Sequence, residues 1–133
     1  MRIGELANQA GTSVELVRHY EKINLLAKPS RSASDQRIYQ PSHLRQLKVI
    51  RQLRALDFSL KEIGLLFAYQ NDPRHHTKKE VKTLVNLHVI KLDQMLSNIT
   101  STRNYLLQLK DKCDGSDESS KHCPILEDLI ISE

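Results

Sequence analysis

The chain has 133 residues, 39% of them hydrophobic and 5% aromatic, with no Trp. That is enough for one domain, or for a small domain with a dimerisation arm, and it excludes a large single core. Net charge is +4, but residues 1–56 hold ten Lys or Arg against four acids (a balance of +6), while residues 113–133 hold one Lys against six acids (a balance of −5); the basic half suits a polyanion and the acidic tail does not.

Ile3, Leu6, Ala7 and Ala10 share one helical face, and Gly11 stands where a helix-stopping glycine belongs. Thr12 or Ser13 then caps a second helix, Val14 to about Ile23. Two short helices around a Gly turn, the second carrying Arg18, form a helix-turn-helix pattern. From Leu25 to Gln40 the helical period breaks. Lys28-Pro-Ser-Arg31, the turn formers Ser34-Asp35 and Arg37-Ile-Tyr39 predict two short extended arms around a tight turn, a basic β-wing. Pro41-Ser42 opens a helix to about Leu56. Ser59 and Glu62 form a capping box for another, ended by Asn71-Asp-Pro73.

From Val81, steps of four and three residues pass through Val85, His88, Leu92, Met95, Ile99, Thr102, Leu106 and Leu109 to Cys113. This 3.5-residue repeat keeps one seam towards a partner helix. At 1.5 Å rise per residue the rod spans roughly 50 Å, more than a chain this short can cover alone, so a second copy is the expected partner. His88 on this seam reads as a polar device for register. Beyond Cys113 comes a polar loop to Lys121, then His122-Cys123 and a last short helix with Pro124 in its first turn.

In this order the chain resembles the mercury-resistance regulator (MerR) family of bacterial transcription factors over essentially its whole length. The matching stretches are Ile3-Gly-Glu-Leu-Ala, Val17-Arg-His-Tyr-Glu21 with Leu25-Leu26, Arg31 and Arg37-Ile-Tyr39, Arg51 to Ile63, and the Cys113-to-Cys123 loop with Pro-Ile-Leu after it. The resemblance implies a mostly α protein: a winged helix-turn-helix DNA-binding domain at 1–73, a dimerisation helix at 74–112 forming an antiparallel coiled coil, and an effector loop with a terminal helix at 113–133. It also implies a homodimer that distorts the over-long spacer of double-stranded promoter DNA, so that RNA polymerase uses the promoter when the effector is bound. The loop is most similar to those of the zinc, cadmium/lead and copper sensors. Three positions depart from the family pattern. Asn24 replaces a Gly, Asp35-Gln36 replaces Gly-Tyr in the wing, and Lys78 aligns with a position that is Cys in many divalent-metal sensors.

For DNA contact the chemistry favours Arg18 and Tyr20 on the second helix, with Arg31, Arg37 and Tyr39 on the wing. Guanidinium forks and phenolic hydroxyls suit phosphate oxygens, although either tyrosine also fits as a packing residue with a satisfied hydroxyl. Ser13, His19 and Glu15 are placed to approach base edges. Cys113 and Cys123 have nine residues between them, too many for a Cys-x-x-Cys knuckle and suited to a loop that wraps an ion or closes a disulfide. The metal reading takes both as ligands of a divalent ion (Zn, Cd, Pb or Ni), completed by His122, a loop acid or His76 of the partner subunit, because Lys78 is a protonated non-ligand. The competing reading is a regulator of the same build that answers redox or electrophile stress through cysteine, with no metal. There is no nucleophile–base pair, Gly-rich phosphate loop or carboxylate dyad, so no catalytic residue is expected and the protein is not read as an enzyme. With no apolar run of about 18 residues and a polar Met1–Gly11, the expectation is a cytoplasmic protein without membrane contact, its cysteines kept as thiols.

Overall fold

Local side-chain chemistry sets the element boundaries through the front half of the chain. The computed structural model describes residues 1–131, the side chains of Ile130 and Ile131 excepted. Helix α1 spans Ile3–Ala10 and ends at Gly11, whose φ of 68° is left-handed. A side chain there would collide with the Arg51 guanidinium, which donates to the Ala10 carbonyl at 3.2 Å. Helix α2, Val14–Lys22, starts at Ser13, whose hydroxyl accepts from the Leu16 amide at 3.1 Å. Asn24, with φ 61°, takes the left-handed turn that follows, one of the few non-glycine residues that do so readily.

The wing is a two-stranded antiparallel ribbon, β1 (Ser30–Arg31) with β2 (Arg37–Ile38), Ser30 facing Ile38 and Arg31 facing Arg37. Its tip turns on Asp35 at φ 61°. Helix α3, Pro41–Ala55, begins where His43 Nδ1 accepts the Gln40 amide at 2.9 Å. Helix α4, Leu60–Asn71, carries the expected capping box: Ser59 Oγ accepts from the Glu62 amide at 3.1 Å, and Glu62 Oε1 accepts from the Ser59 amide at 3.0 Å. Helix α5, Lys78–Asp111, is 34 residues long, and helix α6 is Pro124–Ile131. This is the expected mostly helical chain, a winged helix-turn-helix followed by a long helix. Among the described residues no helix is long and apolar enough to cross a membrane.

The chain divides into two compact units, Met1–Leu84 and Val85–Glu133. The first is built on one core, with Leu6, Val17, Leu26, Ile50 and Ile63 all almost fully buried. Leu84 belongs to that core, so the first turns of α5 fold with the front half and the compact unit runs past residue 73. In the second unit α5 shows Leu87, Ile90, Leu96, Ile99 and Leu106 about half exposed or more, whereas His88 and Leu109 are buried within the single chain.

Candidate nucleic-acid interface and thiol loop

One face of the first unit gathers the charge foreseen in the basic half. Arg18 and Lys22 of α2, Lys28 from the loop, and Arg31 and Arg37 of the wing line a single hollow together with Glu21. Cationic groups converging on one surface, two of the five from the ribbon and two from the helix, make a seat for phosphate oxygens. Glu21, Lys22 and Lys28 join this surface beyond the residues expected for DNA contact. In the sequence Lys22 stands out only by charge, Lys28 only as part of the basic wing, and Glu21 only as the end of a matching block.

The other expected DNA residues are placed as follows. Ser13 is exposed, but its hydroxyl is occupied as the α2 cap. Arg18 and His19 are exposed on α2, the His19 ring 6.2 Å from that of Tyr20. Tyr20 is 6% exposed and Tyr39 only 1%. The Tyr39 hydroxyl donates to Glu21 Oε1 at 2.7 Å, and its ring meets His43 edge-on at 5.4 Å. Burial first, then the hydrogen bond to Glu21 and its charge, pushes the Tyr39 hydroxyl up to about 12. Both tyrosines therefore sit as packing residues. Arg31 folds back on its own turn, Nη1 donating to the Asp35 carbonyl at 3.1 Å with the Asp35 carboxylate 3.6 Å away. Arg37 donates to Glu21 Oε2 at 3.1 Å.

In the second unit Cys113 and Cys123 are both free and half-buried. Cys123 immediately precedes α6, so the helix's unsatisfied amides reach its sulfur. Hydrogen bonds from the Leu126 and Ile125 amides, with a smaller one from the Cys113 thiol, hold Cys123 below the ordinary thiol range against the opposing effects of burial and Glu127. Thiolates at helix N-termini gain this way. The Gly115 amide lies 3.5 Å from Cys113 Sγ. Lys112 pairs with Asp128 of α6 at 3.1 Å, which ties the two ends of the loop.

His122 adopts a left-handed φ of 62° and lies 3.5 Å from Glu127. Among the described residues no group of three or more His, Cys, Asp or Glu is gathered closely enough to hold an ion. Two thiol sulfurs suit a soft or borderline metal ion, and among the described residues no third donor is gathered with them. His76 lies in the first unit, its Nδ1 2.9 Å from Glu80 Oε2 and its ring 4.7 Å from Tyr69. There it joins the capping box of α5, where Thr77 Oγ1 accepts the Glu80 amide at 3.1 Å. The contact with His76 is the main cause holding the Glu80 carboxyl below its usual range. Lys78 is the first residue of α5.

Residues 1–70 match the family described as MerR HTH family regulatory protein, and residues 44–109 match the family described as MerR, DNA binding. The transcriptional regulator ZntR of Escherichia coli strain K12 is 38% identical over 128 residues, which is 96% of this chain and 91% of ZntR. CueR of Salmonella typhimurium strain LT2 is 36% identical over 129 residues, 97% of this chain and 91% of CueR. The crystal structure of PbrR691 from Ralstonia metallidurans CH34, in complex with lead(II), is similar at a TM-score of 0.85 and 36% identity, covering 97% of this chain and 98% of that one.

Proposed function

We propose a function from the premise that this chain belongs to the MerR family of HTH regulatory proteins. It is a dimeric, DNA-binding transcriptional regulator, not an enzyme, that reshapes a promoter spacer for RNA polymerase in response to a divalent metal ion. Residues 1–73 hold DNA, 74–112 pair two chains, and 113–133 receive the effector. Arg18, Arg31 and Arg37, with Lys22 and Lys28, take backbone phosphates, while exposed His19 approaches base edges. Tyr20 and Tyr39 support that surface from beneath.

The observation that carries the metal reading is the pair of free thiols at the two ends of the loop, Cys113 after α5 and Cys123 before α6, the latter shifted towards thiolate by the helix amides. The similarity to a chain crystallised with lead(II) supports it. When bound, the ion supplies a fixed bridge between the end of α5 and the start of α6; Zn, Cd, Pb and Ni all accept thiolate with nitrogen or oxygen co-ligands. Cys113 and Cys123 hold it, and the remaining donors come from water, a loop acid or the second chain. Those same two thiols, with Cys123 favoured as thiolate, also suit a redox or electrophile signal. Titrating the reduced parent, Cys113→Ser and Cys123→Ser with Zn(II), Cd(II), Pb(II) and Ni(II) separates the two. The metal reading expects each substitution to weaken binding of at least one ion by tenfold or more, on the order of 1.4 kcal/mol. A parent that binds every ion no more tightly than the serine variants would overturn it, and the thiol-redox reading would then stand.

A further inference from the structure

Glu21 is out of place by charge. Only 9% of its side chain is exposed, and it opens on a hollow whose other charged groups are Arg18, Lys22, Lys28, Arg31 and Arg37. A carboxylate there repels the phosphates that the cations attract. Electrostatics alone would favour glutamine.

Its two oxygens show what it does instead. Oε1 accepts the Tyr39 hydroxyl at 2.7 Å, and Oε2 accepts Arg37 Nη1 at 3.1 Å. Glu21 lies on α2, whereas Arg37 opens β2 and Tyr39 follows it directly. One carboxylate therefore ties the second helix of the helix-turn-helix to the wing. Tyr39 is itself fixed at both backbone groups, its amide donating to the Met1 carbonyl at 2.8 Å and its carbonyl accepting the Met1 amine at 2.9 Å. Arg37 keeps 44% of its side chain exposed. Its planar fork has five N–H donors, of which Glu21 engages one end, so the rest remain directed by the same anchor.

We infer that Glu21 is a positioning residue for DNA binding, holding the wing against α2 and aiming the Arg37 guanidinium at a backbone phosphate. The inference rests on the DNA-binding reading above. The high pKa of Tyr39 supports it, because the hydroxyl stays a donor to Glu21 throughout the working pH range.

The test uses the full chain and a duplex enriched by the parent from random-sequence DNA, with affinity measured over a range of salt. Glu21→Gln should bind about tenfold more weakly, as loss of a charge-assisted hydrogen bond implies. The slope of log affinity against log salt should flatten by about 0.9, one phosphate contact. In an Arg37→Ala background, Glu21→Gln should cost nothing further, which a general loss of stability would not reproduce. Glu21→Asp keeps the charge but is too short to hold both partners, and should lose affinity a few-fold; it decides the matter if Glu21→Gln fails to fold. Equal or tighter binding by the variant that folds, or losses that add to that of Arg37→Ala, would overturn the proposal and leave the DNA-binding reading intact. A parent that enriches no duplex would overturn both.

Discussion

The two compact units treat apolar surface in opposite ways. In Met1–Leu84, helices capped by Ser13 and Ser59 close around Leu6, Val17, Ile50 and Ile63, none of them measurably exposed. In the second unit α5 leaves Met95 40%, Ile99 63% and Leu106 56% exposed along one face. Apolar surface left in water forgoes roughly 25 cal/mol per Å2, and monomers rarely present such a continuous row. The front half is specified by its own chain, and we propose that the long helix is specified by a second copy of itself.

The largest test of this contrast is the double substitution Leu92→Ala with Ile99→Ala. It should remove several kcal/mol from association, since each buried Leu or Ile truncation costs roughly 2–5 kcal/mol. In urea unfolding the midpoint should fall and lose its dependence on protein concentration. Ile63→Ala should cost about 2–5 kcal/mol at every concentration, because its cavity opens within one chain. An Ile63→Ala effect that fades on dilution would break the comparison.

A smaller effect, about 1 kcal/mol, is expected for Ser59→Ala, which removes one half of the α4 capping box; it should lower the thermal midpoint without changing the oligomer. A further test is the alkaline limb of stability. Tyr39 is raised to about 12 in the folded chain from an ordinary value near 10, so the folded state holds that proton more tightly. The contribution is complete below pH ~10 and is lost as pH rises through about 12. Tyr39→Phe should flatten unfolding free energy measured between pH 9 and 11 relative to the parent. An unchanged slope would mean that burial and the bond to Glu21 do not hold that proton in the folded chain.

What could be read from the sequence was whatever short-range chemistry decides. Gly11 stops α1, Ser13 (one of two candidates with Thr12) begins α2, Ser59 and Glu62 cap α4, and Asn24 accepts a left-handed turn, all within a few residues of the cause. The repeat in α5 was equally legible, as a period needs no knowledge of the partner. The clamp of Glu21 on Arg37 and Tyr39 was not, because it joins residues 16 and 18 positions apart across two elements. Nor could alternation say that Tyr39 points inward, since that follows from the way β2 lies on the core. His76 shows the same limit in its ring contact with Tyr69, which depends on how α4 leads into α5, whereas its contact with Glu80 spans only four residues. So does the reach of the first unit to Leu84.

The contrast between the units turns on whether the exposed row of α5 is covered by a second chain. Sedimentation equilibrium of the full-length protein at micromolar concentration measures this directly. The expected mass is twice that of the 15.3 kDa chain, falling towards the single-chain value in the Leu92→Ala, Ile99→Ala variant. A parent that sediments at the mass of one chain, with α5 still helical by circular dichroism, would contradict it.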